Sequence, residues 1–250
     1  MRKELQILAD HGKQYIANLR NQPVSARFRG RPVISGGIRP EQIKAAAEMC
    51  PTAAIDSQTG SIDLGRCTFC NECSLMFPEV YQFTNDYRIA ATRRVDLVVM
   101  PGQEGPLRVN EQAIENEVRG LFRKSLKLRQ VSAGGDNSCE MELGASGNVN
   151  FDLGRFGIEF VASPRHADGI VITGPVTENM AEALEICHRA IPSPKIIILC
   201  GTDAISGGLF EGSSAVTRDF IETHHIDLYV PGNPAHPLTF INGVMDLLGL

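Results

Sequence analysis

The chain has 250 residues, 43% of them hydrophobic, and its formal net charge is −5. This length suffices for one or two domains with a hydrophobic core, and the mildly acidic balance argues against a general nucleic-acid binder. No run of about 18 apolar residues is available to span a membrane, and residues 1–30 lack the apolar segment of a secretory signal.

The first predicted segment, residues 1–35, is a basic arm with seven Lys and Arg residues against two acidic ones. A basic amphipathic segment can lie on an anionic membrane surface, dock on a partner subunit or remain a solvated tail, and all three interpretations stay open. The apolar residues that form its weak helical stripe are Leu5, Leu8, Ile16 and Leu19.

Cysteines at a two-residue spacing characterise the next segment, residues 36–100. Cys67, Cys70 and Cys73 form a CxxCxxC run, and a Cys-Pro pair begins upstream at Cys50. In bacterial ferredoxins such a run supplies three thiolates to one cluster, and a separate Cys-Pro supplies the fourth. The pattern therefore predicts a single [4Fe–4S] cluster on these four cysteines, with a zinc site or structural thiols as the alternative.

A second ferredoxin-type cluster is not expected in this segment. Two-cluster ferredoxins carry the motif CxxCxxCxxxCP twice, but Phe77 stands where the last cysteine of the second copy would be. Pro40, Ile43 and Ala46 replace the three cysteines of the first copy. The module thus resembles a two-cluster ferredoxin that has been reduced to one cluster.

Local patterns predict the other elements of this module. A helix is predicted over 39–49, because Pro40 suits a first helical turn, and residues 55–63 are typical of a hairpin. Residues 87–99 are predicted to be rich in strand. Residues 101–109 are predicted to be a linker, since they are rich in Pro and Gly.

Short β-type and helical segments alternate in residues 110–250, which we predict to be a second domain. Such alternation favours a parallel sheet covered by helices. The predicted strands are 126–131, 157–162, 169–173, 195–200 and 227–230, and the predicted helices are 111–124, with Asn110 as N-cap, 177–190 and 213–224. Ligands bind beyond the carboxyl ends of such strands, where we expect three loops to converge, 132–139, 201–208 and 231–234.

Several motifs of this second domain resemble those of one family of redox subunits. They are the run 121–134, the Cys139-Glu140 region, Arg155-Phe156-Gly157, Ser163-Pro164-Arg165-His166, Thr173-Gly174-Pro175 and Tyr229-Val230-Pro231-Gly232. The family is the small subunit of membrane-bound, energy-converting [NiFe]-hydrogenases, which includes the formate hydrogenlyase type and is related to the 20 kDa subunit of respiratory complex I. The N-terminal part is similar to the ferredoxin subunit of the same complexes. The resemblance implies two neighbouring subunits fused into one chain, with a fold that is α/β plus α+β: a small ferredoxin-like module followed by a flavodoxin-like parallel-sheet domain.

The resemblance also implies a second [4Fe–4S] site whose ligand positions have largely changed. Where the family has four cysteines, this chain has Asp136, Cys139, Asp203 and Asn233. If the motif is instead aligned with that of complex I, which has adjacent cysteines, the first ligand position falls on Ser138. Cys200, three residues before Asp203, lies close enough in sequence to serve as a ligand in its place. Because the irons of such clusters prefer thiolate, a second cluster is not expected. The oxygen donors could bind a hard divalent cation or hydrogen-bond to one another and to loop N–H groups.

Two further groups of residues have simpler interpretations. Arg165 and His166 fall in a motif that in the family faces the large subunit, so we expect them at an interface. His224 and His225 are predicted to be solvated or to cap a helix.

These observations predict an iron–sulfur electron-transfer subunit of a membrane-associated hydrogenase-like or complex I-like complex, with any catalysis in partner chains. The alternative is a scaffold that joins the large subunit to the membrane arm of a complex without hydrogenase activity, and a redox sensor ranks third. The implied partners are a large subunit and other iron–sulfur or membrane-arm subunits, without nucleic acid. A peripheral position on the cytoplasmic side of the membrane follows from the same resemblance and from the lack of a disulfide pattern.

Overall fold

The computed structural model describes residues 2–12, 14–105, 107, 109 and 116–250, with only the backbone described at 116 and 117. The predicted N-cap Asn110 and the start of the helix predicted over 111–124 lie outside the described residues. The helices are α1 Arg2–His11, α2 Pro40–Met49, α3 Glu72–Met76, α4 Asn116–Phe122, α5 Ser138–Ser146, α6 Glu178–Ala190, α7 Thr202–Ser206, α8 Asp219–Thr223 and α9 Pro237–Leu248. The strands are β1 Pro32–Ile34, β2 Ile62–Asp63, β3 Tyr81–Phe83, β4 Val98–Val99, β5 Leu126–Ser132, β6 Ile158–Phe160, β7 Gly169–Thr173, β8 Ile196–Cys200 and β9 Leu228–Val230.

Five of these strands form one parallel sheet in the order β6-β5-β7-β8-β9. This is the order of a flavodoxin-like sheet, whose first strand in sequence lies second from the edge. In the sheet Leu128 lies opposite Gly169, and Ile198 lies opposite Leu228. The predicted mixed α/β architecture is confirmed for this half of the chain, named the sheet domain below (residues 116–250), and each predicted strand is correct within two residues.

The central strands of the sheet are apolar and buried on both faces. Every residue of β7 and β8 is buried, as expected for parallel strands that are covered by helices on either side. The helix predicted over 213–224 is wrong in length, because α8 contains only Asp219–Thr223. Val216, inside the predicted helix, instead forms an isolated antiparallel bridge with Thr177.

Residues 32–99, named the cysteine module below, contain two short antiparallel ribbons, β1 with β3 and β2 with β4. The predicted helix over 39–49 is confirmed as α2, and the hairpin closes through a bridge between Ile55 and Ile62. The strand-rich prediction for 87–99 is wrong. Only Val98–Val99 forms a strand, because a 3₁₀ turn over Arg94–Leu97 precedes it.

The cysteine module and the sheet domain pack as one body. One buried cluster contains Ile34, Cys67 and Phe69 of the module together with Leu199 and Ile205 of the sheet domain. Backbone hydrogen bonds between Ala91 and Tyr229, at 3.0 and 2.8 Å, continue the sheet beyond its β9 edge into the module. The relative position of the two halves is therefore fixed by burial and by backbone pairing together.

The basic arm divides into an exposed helix and a docked segment. No residue of α1 is buried, but Leu19 is 2% exposed and its carbonyl accepts hydrogen bonds from Tyr87 and Asn242, at 3.1 and 3.0 Å. Arg20 forms an ion pair with Asp246. The second part of the arm thus docks on this chain's own sheet domain, which none of the three sequence interpretations included. Among the described residues, no helix has the length and apolarity needed to cross a membrane.

Candidate iron–sulfur site

The four cysteines of the predicted cluster site line one pocket in the cysteine module. They approach it from three elements, the end of α2, the loop after β2 and the start of α3, and they are Cys50, Cys67, Cys70 and Cys73. Cys67 is buried, whereas Cys70 is exposed. The pocket therefore has an inner side against the core and an outer side at the protein surface.

The backbone around these cysteines is bent so that N–H groups face the sulfur atoms. Ala54 N donates to Cys50 Sγ and Phe69 N donates to Cys67 Sγ, each at 3.3 Å. Phe69 and Asn71 have positive φ values of 54° and 76°. Asparagine adopts this left-handed region readily, whereas a bulky residue such as phenylalanine does so only where the surroundings impose it. The backbone is therefore strained at Phe69, where the chain bends around the pocket. Amide hydrogen bonds to sulfur are among the features that set the reduction potential of iron–sulfur clusters.

Two of the four thiols, those of Cys67 and Cys73, are hard to ionise in this environment. Burial, together with repulsion from the neighbouring cysteines, raises the pKa of Cys73 to about 11 and raises the pKa of Cys67 still further. A bound cation reverses this balance, since metal ligation deprotonates thiols outright. Four converging thiols are a donor set that fits a cationic iron–sulfur core, and by the same chemistry a zinc ion.

The positions of the missing ferredoxin cluster are filled with packed side chains. Ala46 and Ile43 of α2 are 0% and 8% exposed, and Phe77 packs against the same core. Pro40 opens the helix at its first position. A helix with a buried face therefore occupies the segment where a second set of thiolates would have to converge.

The pocket is tied to the sheet domain by a buried hydroxyl that sequence reasoning missed. Thr202, the first residue of α7 and 1% exposed, places its Oγ1 2.8 Å from the carbonyl oxygen of Cys67 and 3.2 Å from that of Gly232. A second link is the ion pair between Arg66, next to Cys67 in sequence, and Glu211 of the sheet domain. The carboxyl end of β8 therefore lies directly against the loop that carries Cys67.

The second predicted site lies on the same edge of the sheet and contains a pair of thiols. Cys200, the last residue of β8, is 1% exposed, and its interaction with the Cys139 thiol lowers the pKa of Cys139. The same contact, with burial, raises the pKa of Cys200 well above its ordinary value. The backbone approaches this pair closely, because a Cβ built on Gly201 would be 2.5 Å from Cys139 Sγ.

The two carboxylates of the second site differ in their hydrogen bonding, since Asp136 has partners and one oxygen of Asp203 has none among the described residues. Asp136 accepts hydrogen bonds from Ser138 N and Oγ at 2.9 and 2.6 Å, which form a local turn immediately before α5. Burial, with the nearby charges of Asp136 and Glu140, raises the pKa of Asp203. Asp203 Oδ1 is buried without a hydrogen-bond partner among the described residues. Asp136 and Asp203 are thus brought near each other, as the loop prediction requires.

Asn233 belongs to a separate cleft of about 210 Å³ beside the same loops. The cleft is also lined by Arg27, Phe28, Glu142 and His236. Elsewhere Arg165 and His166 lie in a 3₁₀ turn ahead of β7, away from both cysteine sites in sequence and in the sheet. Their predicted role at an interface remains a prediction.

Comparison with known families gives the class of the sheet domain. The sequence profile of the NADH ubiquinone oxidoreductase 20 Kd subunit matches residues 137–247, and the chain belongs to this family. The match begins after the cysteine module, so the four-cysteine pocket lies outside it. Members of this family typically bind an iron–sulfur cluster and are subunits of oxidoreductase complexes.

The chain is similar to proteins from both groups that its motifs resemble, the complex I subunits and the hydrogenase-type subunits. An NADH-quinone oxidoreductase subunit of Geotalea daltonii is 42% identical over 109 residues, 44% of this chain and 64% of the relative. The "Probable membrane-bound hydrogenase subunit mbhJ" of Pyrococcus furiosus is 35% identical, and the match covers 46% of this chain and 69% of the relative. Formate hydrogenlyase subunit 7 of Escherichia coli is 35% identical over 147 residues, 58% of each chain. This chain thus spans less than two thirds of the first of these relatives.

Proposed function

We propose that the chain is an iron–sulfur electron-transfer subunit of a membrane-associated complex of the complex I or hydrogenase type. The convergence of Cys50, Cys67, Cys70 and Cys73 on one pocket carries this proposal. A [4Fe–4S] cluster in that pocket would supply one-electron transfer. The contact of Thr202 with Cys67 supports a path between this pocket and the family's own domain.

The two sides of the pocket suggest how the protein would be used. Exposed Cys70 offers the shortest approach for an external electron donor or acceptor, whereas buried Cys67 is on the side of the sheet domain. The chain's own residues would hold the cluster, exclude water from its inner side and provide amide hydrogen bonds to sulfur. Any catalytic chemistry would take place in partner chains.

The division of the chain and its partners belong to the same proposal. We infer a basic arm at 1–35, a ferredoxin-like module at 36–100, a linker at 101–109 and a 20 kDa-type domain at 110–250. In this arrangement two subunits that are neighbours in related complexes have become one chain. The partners would be a large subunit and membrane-arm subunits, on the cytoplasmic side of the membrane.

A second function, that of a scaffold, is favoured by the altered second site. Its oxygen donors, Asp136 and Asp203, and its interacting thiols, Cys139 and Cys200, are a poor match for four thiolate ligands. We infer that this site holds no [4Fe–4S] cluster. If electrons stop at the cysteine module, the sheet domain would serve mainly to hold the large subunit against the membrane arm.

The test is a count of iron and acid-labile sulfide per chain after anaerobic purification, with electron paramagnetic resonance after reduction. We expect about four irons and one signal from a single [4Fe–4S] cluster. The signal should be lost in Cys70→Ser and retained in Cys139→Ser. Cys187→Ser is the matched control, because Cys187 is a partly buried thiol of α6 outside both sites.

Each other outcome has a definite meaning. About eight irons with two interacting signals would contradict the loss of the second cluster, and would make the chain a continuous path to the large subunit. One zinc in place of iron, sensitive to Cys70→Ser, would overturn the electron-transfer proposal and leave the scaffold. A single cluster that survives Cys70→Ser but not Cys139→Ser would contradict the ligand assignment.

A further inference from the structure

A cluster of metal-ligating side chains lies outside both cysteine sites. Glu185 and His188 are three residues apart on α6 and so share one face of that helix. His224 follows the last residue of α8. One possible ligand atom from each of these three side chains lies within 4.8 Å of the other two.

Aromatic packing holds the two imidazole rings in place. The ring centroids of His188 and His224 are 4.5 Å apart, with planes at 83°. Phe220 stacks on His224 at 4.2 Å and contacts His188 edge-on at 5.3 Å. Because all three side chains are only partly exposed, their rotamers are restricted by packing, which lowers the entropic cost of bringing two ligands to one ion.

The hydrogen bonds of His224 leave one of its ring nitrogens available. His224 Nδ1 lies 2.9 Å from the carbonyl oxygen of Phe220. A carbonyl only accepts hydrogen bonds, and the hydroxyl of Thr223, 3.1 Å from Nδ1, lies at 2.7 Å from the carbonyl oxygen of Asp219, to which it donates. A proton on Nδ1 satisfies both contacts and leaves the free lone pair on Nε2. A carbonyl that orients a ligating imidazole in this way is the usual outer-shell arrangement at metal sites.

We propose that Glu185, His188 and His224 form a binding site for a divalent transition-metal ion, for which zinc is the best match. Two imidazoles and one carboxylate are the protein ligands of several zinc centres, and they leave a fourth position open to water. Imidazole nitrogen also suits nickel, cobalt and iron, whereas magnesium and calcium prefer oxygen ligands alone.

The position of the site points to a structural role. Glu185 and His188 lie near the carboxyl end of α6, ahead of β8, and His224 lies ahead of β9. The site is therefore at the amino edge of the sheet, opposite the edge that carries Cys200 and Thr202. An ion here would join α6 to α8 without contacting the proposed electron path.

One neighbouring positive charge, on Lys195, opposes the binding of a cation. The ammonium group of Lys195 interacts electrostatically with His188. It is held in place by the carbonyl oxygens of His188 and Ile191, at 2.6 and 3.1 Å from Nζ. These bonds keep the ammonium at the end of α6, so we expect it to weaken binding without occupying the site.

The test uses the full chain with its iron–sulfur cluster in place, so that the cluster cysteines cannot bind the added metal. Zn²⁺ titration should show one bound equivalent and a higher unfolding temperature. In the difference spectrum against the cobalt-free chain, Co²⁺ should give d–d absorption without a new sulfur-to-metal charge-transfer band, which separates this site from Cys139 and Cys200. His188→Gln and His224→Gln should each weaken zinc binding by more than the roughly 10–100-fold that loss of an outer-shell partner costs.

His225→Gln is the matched control, because the side chain of His225 is 78% exposed and lies next to His224 in sequence. It should bind zinc like the wild type. Zinc-edge X-ray absorption of the wild-type chain gives a readout that does not depend on any variant folding, and should show imidazole scattering without sulfur. Sulfur ligation, unchanged affinity in both His variants, or no zinc bound above the level of a nonspecific surface would each overturn the proposal.

Discussion

Replacement of Thr202 by valine tests how firmly the cysteine module is joined to the sheet domain. Valine has nearly the shape of threonine but lacks the hydroxyl that lies 2.8 Å from the carbonyl oxygen of Cys67. The carbonyl of Gly232 keeps its hydrogen bond from the backbone N–H of Thr202, also at 2.8 Å. The substitution therefore removes the bond to the loop of the four-cysteine pocket and a longer contact of 3.2 Å with the Gly232 carbonyl, which keeps its backbone partner.

The expected cost follows from the burial of both partners. Thr202 is 1% exposed and Cys67 is 8% exposed, so water cannot easily replace the lost hydroxyl. A buried acceptor that loses its partner costs about 1–3 kcal/mol. We expect Thr202→Val to lower the free energy of unfolding by that amount, with an unchanged dependence on denaturant concentration.

Thr239→Val provides a control for the loss of a threonine hydroxyl as such. Thr239 is also 1% exposed, but its Oγ1 has no hydrogen-bond partner among the described residues. Removing an unpaired buried hydroxyl should leave stability unchanged or raise it. Urea unfolding of the anaerobically purified chain compares the two variants with the wild type. Equal losses in both variants, or no loss in Thr202→Val, would refute the assignment of the joining bond.

Two further predictions concern backbone geometry and buried charge. Gly201→Ala should lower the free energy of unfolding. Its φ of 97° alone would cost alanine about 1–3 kcal/mol, and the new Cβ, 2.5 Å from Cys139 Sγ, would add to that cost. Gly37→Ala, where the Cβ has open space, should have little effect in the same unfolding assay. Burial raises the pKa of Asp227 above its ordinary value of 3.8, so its ionisation destabilises the fold as the pH rises through and above that value. Asp227→Asn should therefore be more stable than the wild type at neutral pH and equal to it near pH 3.8, and a difference independent of pH would contradict this sign.

Local patterns predict those parts of the fold that depend on neighbouring residues in sequence. The buried strands β7 and β8 are continuous apolar runs, and α2 has a proline suited to its first turn, so both kinds of element can be found without tertiary information. The spacing of Cys67, Cys70 and Cys73 likewise predicts that they lie together, because a single loop can bring them to one pocket.

Contacts across long sequence separations could not be predicted in this way. Thr202 and Cys67 are 135 residues apart, and no local pattern marks the hydroxyl as a partner of that carbonyl. The sequence around His224 does not reveal its contact with His188, because that neighbour comes from another helix. The strand predicted over 87–99 failed for a similar reason, since Arg94 turns toward Asp63 on another element and the chain forms a 3₁₀ turn there.

The backbone pairing of Ala91 with Tyr229 has a consequence for how this chain would behave on dilution. When two subunits carry neighbouring redox sites, the contact between them is lost below their dissociation constant. Here both halves belong to one polypeptide, so each sees the other at an effective concentration that does not depend on the amount of protein. The spacing between the four-cysteine pocket and the carboxyl edge of the sheet should then be the same in a dilute extract as in an assembled complex.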